Sequence, residues 1–320
     1  MLGIFRNNNP LAIILLFILG YASIFLKPDP LFQNTIIENG ILADVLMNIL
    51  RPLEKNPSTS IKIISYTLLM AEAFYLNKIS RDYKLLEKGT FIVAMAFLLM
   101  NFLIPTKISL FMLLINGLLL LVFSAFIAMY KKSNPLNDLL IAGFITASIS
   151  AVINNYFILY LWLTVALLIM RPTSLREWSV LNIGFILPFY FLISVLYLTD
   201  KLSFDAILHL NKPEFAIPKF ATIQSIKLII LIILPLIGLS AGAGQINKMV
   251  LQNRKAYIIM FTLFLGAVII NLLNINNIGE YAYLLLLPST ILLSPFFQSF
   301  KKDFIPNLVL IVLIVLSYIR

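Results

Sequence analysis

Cysteine is absent from this 320-residue sequence, which excludes a disulfide framework, a thiolate metal site and a cysteine nucleophile. Histidine occurs once, as His209, so a multi-histidine iron, copper or zinc centre is excluded as well, and neither metal nor cofactor is expected. Charge is scarce too: 12% of the residues are Asp, Glu, Lys or Arg, against roughly 25% in an ordinary soluble domain. Apolar residues fill the gap, at 61% of the chain with a mean hydropathy of +0.98. No water-soluble fold covers that much apolar surface, so composition alone predicts a protein of the bilayer. The formal net charge is +10, yet the basic residues sit in short clusters between apolar runs rather than on one patch. They read as membrane-flanking charge, and nucleic acid is not an expected partner.

A crossing of the ~30 Å hydrocarbon layer needs about 20 residues. Apolar runs of roughly that length predict eleven spans, at about 10 to 26, 60 to 77, 90 to 105, 108 to 129, 138 to 154, 156 to 170, 177 to 198, 226 to 243, 256 to 275, 281 to 297 and 304 to 319. Each must be a helix, because an open strand in lipid leaves backbone groups without partners. The fold class is therefore all-α, a polytopic transmembrane bundle forming a single domain over residues 1–320. The first run is read as a retained span rather than a cleaved signal, because its basic preface is only Arg6.

Loop charge sets the threading. With the N-terminus inside, fourteen basic residues fall on cytoplasmic segments: Arg6, Lys78, Arg81, Lys84, Lys88, Lys131, Lys132, Arg171, Arg176, Lys248, Arg254, Lys255, Lys301 and Lys302. The short outer segments and the C-terminus hold only Lys107 and Arg320. Short-loop bias orients spans, and it predicts an N-terminus inside and a C-terminus outside. Two long outer loops, 27–59 and 199–225, carry amphipathic patterns expected to lie on the membrane surface. Eight of the fourteen acidic residues fall on that side, among them Asp29, Asp44 and Asp205.

One carboxyl group lies inside a span. Glu72 is about six residues, or ~9 Å, from the basic end of its helix, and an ionisable group at that depth marks a pathway or site by default. Its structural alternatives are a neutral carboxyl, a reach toward the headgroups, or a hydrogen bond to an asparagine of a neighbouring span such as Asn101 or Asn116. Gly238, Gly242 and Gly244 in GLSAGAGQ lack the lysine and strand of a phosphate loop. They are predicted to let helices approach closely, as are Gly143, Ala147 and Ala151. Asparagines 154, 155, 271, 274, 276 and 277 fall near span ends, as caps. Prolines 105, 188, 235 and 288 are expected to kink or end helices.

The segment RPTSLREWSVLNIGFILPFYFLISVLYLTD, the opening FRNNNP and EYAYLLLLPS near the tenth span resemble a family of uncharacterised multi-pass inner-membrane proteins of Bacteroidota, a domain of unknown function. The likeness implies a bacterial inner-membrane location and no particular activity. A looser, topological resemblance is to integral-membrane glycosyltransferases that use polyprenyl-phosphate-linked sugars. That resemblance would make Asp29 or Asp44 the catalytic base, with Arg51, Lys55, Lys107 or Lys212 as holders of the donor phosphate.

Three functions remain open at this level. The first is a non-enzymatic membrane subunit or assembly partner in an envelope pathway. The second is a glycosyltransferase-like enzyme acting on lipid-linked substrates at the outer face. The third is a transporter or flippase built around Glu72. The expected partners are the lipid bilayer and either a lipid-linked sugar or other membrane proteins.

Overall fold

The computed structural model describes residues 2–6, 9–25, 57–86, 90–104, 110–130, 132–198, 222–273, 281–299 and 304–318. The elements among them are all helical: α1 (Leu2–Arg6), α2 (Pro10–Phe25), α3 (Pro57–Asp82), α4 (Ile92–Leu103), α5 (Leu110–Met129), α6 (Leu136–Val152), α7 (Ile158–Met170), α8 (Leu175–Leu198), α9 (Thr222–Ile246), α10 (Leu251–Leu273), α11 (Leu286–Ser299) and α12 (Phe304–Tyr318). Single 3-10 turns at Asn154–Phe157 and Ala282–Leu285 lead into α7 and α11. Among the described residues, each apolar run read from sequence overlaps one of the helices α2 through α12. Five stretches among these residues are long and apolar enough to cross a membrane unaided: Leu110–Met129, Leu175–Leu198, Ile226–Ile246, Leu251–Leu273 and Ala282–Ser299.

Local chemistry explains several helix ends. Asn9 starts α2, its side-chain Oδ1 accepting a hydrogen bond from the Leu11 amide at 3.1 Å, and Pro10 follows at the first helical position, where its missing N–H costs nothing. Pro57 opens α3 in the same way, three residues before the apolar run begins. At the far end of α3 the Leu85 amide bonds the Ser80 carbonyl at 2.8 Å, and the Lys84 amide bonds that of Arg81 at 3.2 Å. This is a Schellman closure. Lys84 occupies its left-handed position, with φ 53°, where glycine is the usual residue. Pro188 and Pro235 lie inside α8 and α9, so these helices run through their prolines rather than stopping at them.

The centre of the bundle is the pair α4 and α11. All residues of Ile92–Leu103 are buried, as are those from Leu286 to Phe297. A helix that is apolar on every side belongs inside. At 12 residues α4 is ~18 Å long, short for a crossing, and it is enclosed by α2, α3, α11 and α12 rather than by lipid. Lipid offers no hydrophobic drive to bring helices together, so close backbone contact carries more of the packing. Two seams show it. A Cβ added at Gly143 of α6 would lie 2.6 Å from the Leu181 carbonyl oxygen, and one at Gly184 of α8 would lie 2.5 Å from that of Leu140. Likewise a Cβ at Gly238 would lie 2.6 Å from the Leu293 Cα, and one at Gly242 would strike the Pro295 ring. The expectation of close approach holds at Gly143, Gly238 and Gly242. Gly244 departs from it, since nothing lies within 4 Å of a Cβ there.

The basic segments gather at one end of the bundle, and several of their side chains cap helices. Arg6 Nε donates to the Phe297 carbonyl at 3.0 Å, Lys255 Nζ to that of Met170 at 2.7 Å, and Arg171 to that of Met129, the last of α5, at 3.4 Å and to that of Lys132 just beyond it at 2.9 Å. Asn253 reaches the Lys84 carbonyl at 2.8 Å, and Gln252 that of Ile127, also at 2.8 Å. Carbonyls in the last turn of a helix have no intrahelical partner, and donors there satisfy them and complement the negative dipole end. Arg171 also pairs with the largely buried Glu177 at 3.1 Å. At the opposite end Asn271 donates to the Ala267 carbonyl at 2.8 Å and to that of Tyr281 at 3.1 Å. It therefore ties α10 to the next turn instead of capping an N-terminus.

Candidate functional site

One face of α3 recurs at helical spacing: Leu68, Ala71 and Glu72, Tyr75, Lys78 and Ile79, Asp82. Residues three and four apart share a side of a helix, so these form one stripe, apolar toward its start and polar toward the basic end. The stripe faces two cavities that lie against α5 and α6. The larger, about 600 Å³, is walled by Leu68, Ala71, Leu114, Leu121 and Val152, with Glu72 and Gly117 in its lining. The smaller, about 330 Å³, is lined by Lys78, Asp82, Tyr83, Ser124 and Asp138. Tyr75 lines both, so the two adjoin at that residue along one face of α3, and the pair is called the slot below. Its walls include the half-exposed Leu114 and Leu121, which puts the apolar part on the flank of the bundle.

Glu72 sits in the wall of the apolar part. It is only 4% exposed, and neither carboxyl oxygen has a hydrogen-bond partner among the described residues. The bond to Asn101 or Asn116 expected as a structural alternative is not formed; the Asn116 amide is itself without a partner among the described residues. Glycine at 117 makes the room that Glu72 occupies: a Cβ there would come within 3.1 Å of Glu72 Oε1. A buried polar group without a partner costs about 1–3 kcal/mol, more when charged, so a sequence that keeps one inside a span has a use for it.

At the polar part, Tyr75 donates to Ser124 Oγ at 3.3 Å, and Ser124 donates onward to the Leu121 carbonyl at 2.9 Å. This fixes the tyrosine ring where the slot changes character. Asp138, in the first turn of α6, is favoured by that helix's positive end and pairs with Lys132 at 2.6 Å. Asp82 lies 3.8 Å from Arg81. The mouth therefore offers cations and carboxylates side by side, with no large excess of either.

A model of the family of unknown function DUF6427 matches residues 32–319. The chain belongs to that family. No match was found among curated proteins or among solved structures. The family brings the chain a membership without an activity.

Of the candidate catalytic and substrate-binding residues named from sequence, Glu72 is the one that lies among the described residues. Asp29, Asp44, Arg51, Lys55, Lys107 and Lys212 lie outside the described residues, as do His209 and most of the two long loops. Sequence reasoning took Lys78 only as a marker of sidedness and passed over Tyr75 and Asp82, although the stripe at i+3, i+6 and i+10 from Glu72 was there to be read. Gly117 and Asp138 come from other helices and carry no local signal. Among the described residues no group of three or more His, Asp or Glu is placed to hold a metal ion.

Proposed function

We propose that this protein acts by binding: it is a membrane subunit or assembly partner of the bacterial inner membrane that holds a long-chain amphiphile against α3, α5 and α6. The observation behind this reading is the change along one slot, apolar above Tyr75 and polar below it. The apolar part, at about 600 Å³, falls within the ~300–1,000 Å³ of small-molecule sites. A bilayer amphiphile has the same division into chain and head. In the same reading the helices too short to cross alone complete eleven spans, the basic end faces the cytoplasm, and the occupant enters from the inner leaflet.

The test is to purify the full chain and identify the lipid that stays bound, by native mass spectrometry. Retention of a defined amphiphile is expected, together with its loss in Ala71→Trp, which fills the apolar part from α3. A protein that emerges free of lipid, or a variant that retains the same lipid as fully, overturns the reading.

A mid-span carboxyl beside a lateral slot also favours a second reading, lipid translocation. Movement of a fluorescent lipid between leaflets of proteoliposomes, dependent on Glu72, would separate it from simple binding. A glycosyltransferase-like activity on polyprenyl-phosphate-linked substrates rests on Asp29 and Asp44. It shares with these readings the need for a long-chain site, and alanine at both positions with an unaffected cell, where deletion of the gene is harmful, would count against it.

A further inference from the structure

The slot has a feature that a plain hydrocarbon chain does not answer. Its apolar part is walled mostly by leucine, isoleucine, valine and phenylalanine, which need nothing beyond contact, and its two hydroxyls are already engaged, Ser148 with the Phe144 carbonyl and Tyr75 with Ser124. Glu72 is the exception, with both oxygens unpartnered among the described residues. Its position on α3 is six residues from Lys78 and ten from Asp82, or ~9 Å and ~15 Å along the axis at 1.5 Å per residue. An amphiphile with its head at Lys78, Asp82 and Asp138 therefore has the first part of its chain beside Glu72.

We infer that the bound amphiphile carries a hydrogen-bond donor at that place, an amide N–H or a hydroxyl set into the start of its chain, and that Glu72 accepts from it. The inference rests on the reading of the slot as an amphiphile site. Whatever its protonation, a carboxyl group keeps an acceptor oxygen, and that oxygen discriminates between lipid classes. The ester linkages of a diacyl phospholipid only accept hydrogen bonds, whereas an N-acyl or chain-hydroxylated lipid donates one. Sites built to pair a substrate N–H or O–H reject analogues lacking it, because the site's own buried group is then left unsatisfied. Gly117 belongs to the same device, since its missing side chain leaves the carboxyl room to sit in the wall and turn toward a donor.

The mouth narrows the head as well. Lys78 stands with Asp82 and Asp138, whose own cation neighbours are Arg81 and Lys132, so a head that combines an anion with an ammonium meets complementary partners on both counts. The ligand class is thus an amide-linked or hydroxylated long-chain lipid with a zwitterionic head.

Two probes with the same head test this: ceramide phosphoethanolamine, which has the amide and the hydroxyl, and dipalmitoyl phosphatidylethanolamine, which has neither. Binding of each to the full chain in nanodiscs is measured for the natural protein, Glu72→Leu and Glu72→Gln. The natural protein is expected to prefer the ceramide lipid by about tenfold, the worth of one hydrogen bond to a charged or buried group. Glu72→Leu is expected to bring that ratio to about one, and Glu72→Gln, which keeps a carbonyl acceptor, to retain part of it. Should the leucine variant fail to fold, Gly117→Ala serves instead, because it crowds the carboxyl and lowers the ratio. Equal binding of the two lipids by the natural protein, as expected if water alone answers Glu72, overturns the inference, and so does a ratio that survives in Glu72→Leu. Binding of neither lipid overturns the amphiphile reading itself.

Discussion

Where α6 meets α8, Gly143 and Gly184 bring two backbones so close that an added carbon would overlap a carbonyl oxygen on either side. Where α3 meets α5, Gly117 faces not a backbone but the carboxyl of Glu72, and a slot of about 600 Å³ opens beside it. The first arrangement is what a bundle in lipid needs for cohesion, since helix association there depends on van der Waals contact at short range. The second leaves a gap on the flank, with a polar group that has no partner among the described residues in its wall. Stability is concentrated at one interface and withheld at the other, which is the usual division between a scaffold and a binding site.

The sharpest way to break this contrast is Gly184→Val. The valine carbons would fall on the Leu140 backbone, 2.5 Å from its carbonyl oxygen at the first added atom. Backbone cannot swing aside as a side-chain end can, so a loss of about 3 kcal/mol is expected, at the upper end of overpacking costs. Unfolding of the purified protein in mixed micelles by a graded denaturing detergent would read it. A midpoint unchanged from that of the natural protein would mean that the seam is looser than described.

Glu72→Leu comes next and has the opposite sign. Leucine keeps roughly the volume and removes two oxygens that have no partner among the described residues. In the absence of ligand the variant should therefore gain about 1–3 kcal/mol, the cost of burying an unsatisfied polar group. The gain is expected to shrink when the bound amphiphile is present, because the ligand stabilises only the chain that can pair with it. A variant less stable than the natural protein without ligand would show that Glu72 has a structural partner after all.

The sequence made the scaffold half of this comparison far more legible than the site half. Hydrophobic runs identified every helix from α2 to α12, and small residues marked three of the close approaches, Gly143, Gly238 and Gly242, because both signals are local. Gly184, across the seam from Gly143, was not singled out: a lone glycine in LNIGFIL has no spacing pattern, and its role depends on which helix lies opposite. Glu72 stood out because a carboxyl inside a span is rare, and its lack of an asparagine partner had to come from the structure. The basic residues were read as markers of sidedness. Their second role, closing helix ends as Arg6, Arg171 and Lys255 do, depends on which carbonyls lie near, and no loop composition reveals that. Asp138 entered the site for the same reason, brought beside Lys78 and Asp82 by the packing of α6 on α5.

Gly117→Ala sharpens the comparison at smaller amplitude. The contact at 3.1 Å is with Glu72 Oε1, the far end of a flexible side chain, which can give by a few tenths of an ångström. The cost in stability should stay below about 1 kcal/mol, far under that at Gly184, while the lipid preference falls with the displaced carboxyl. A large loss of stability here would place Gly117 in the scaffold rather than in the site.

Gly266→Ala provides the baseline against which the other glycines are judged. It lies in the interior of α10 (Leu251–Leu273), and nothing stands within 4 Å of a Cβ built on it. With no steric term, only helix propensity and backbone entropy remain, and both favour alanine by about 0.5–1 kcal/mol. A small gain in the same unfolding assay is therefore expected. It would show that the large cost predicted at Gly184 comes from what lies opposite the glycine and not from replacing glycine in a membrane helix. A loss at Gly266 as great as that at Gly184 would remove the distinction, because the penalty would then follow the residue type rather than its neighbours.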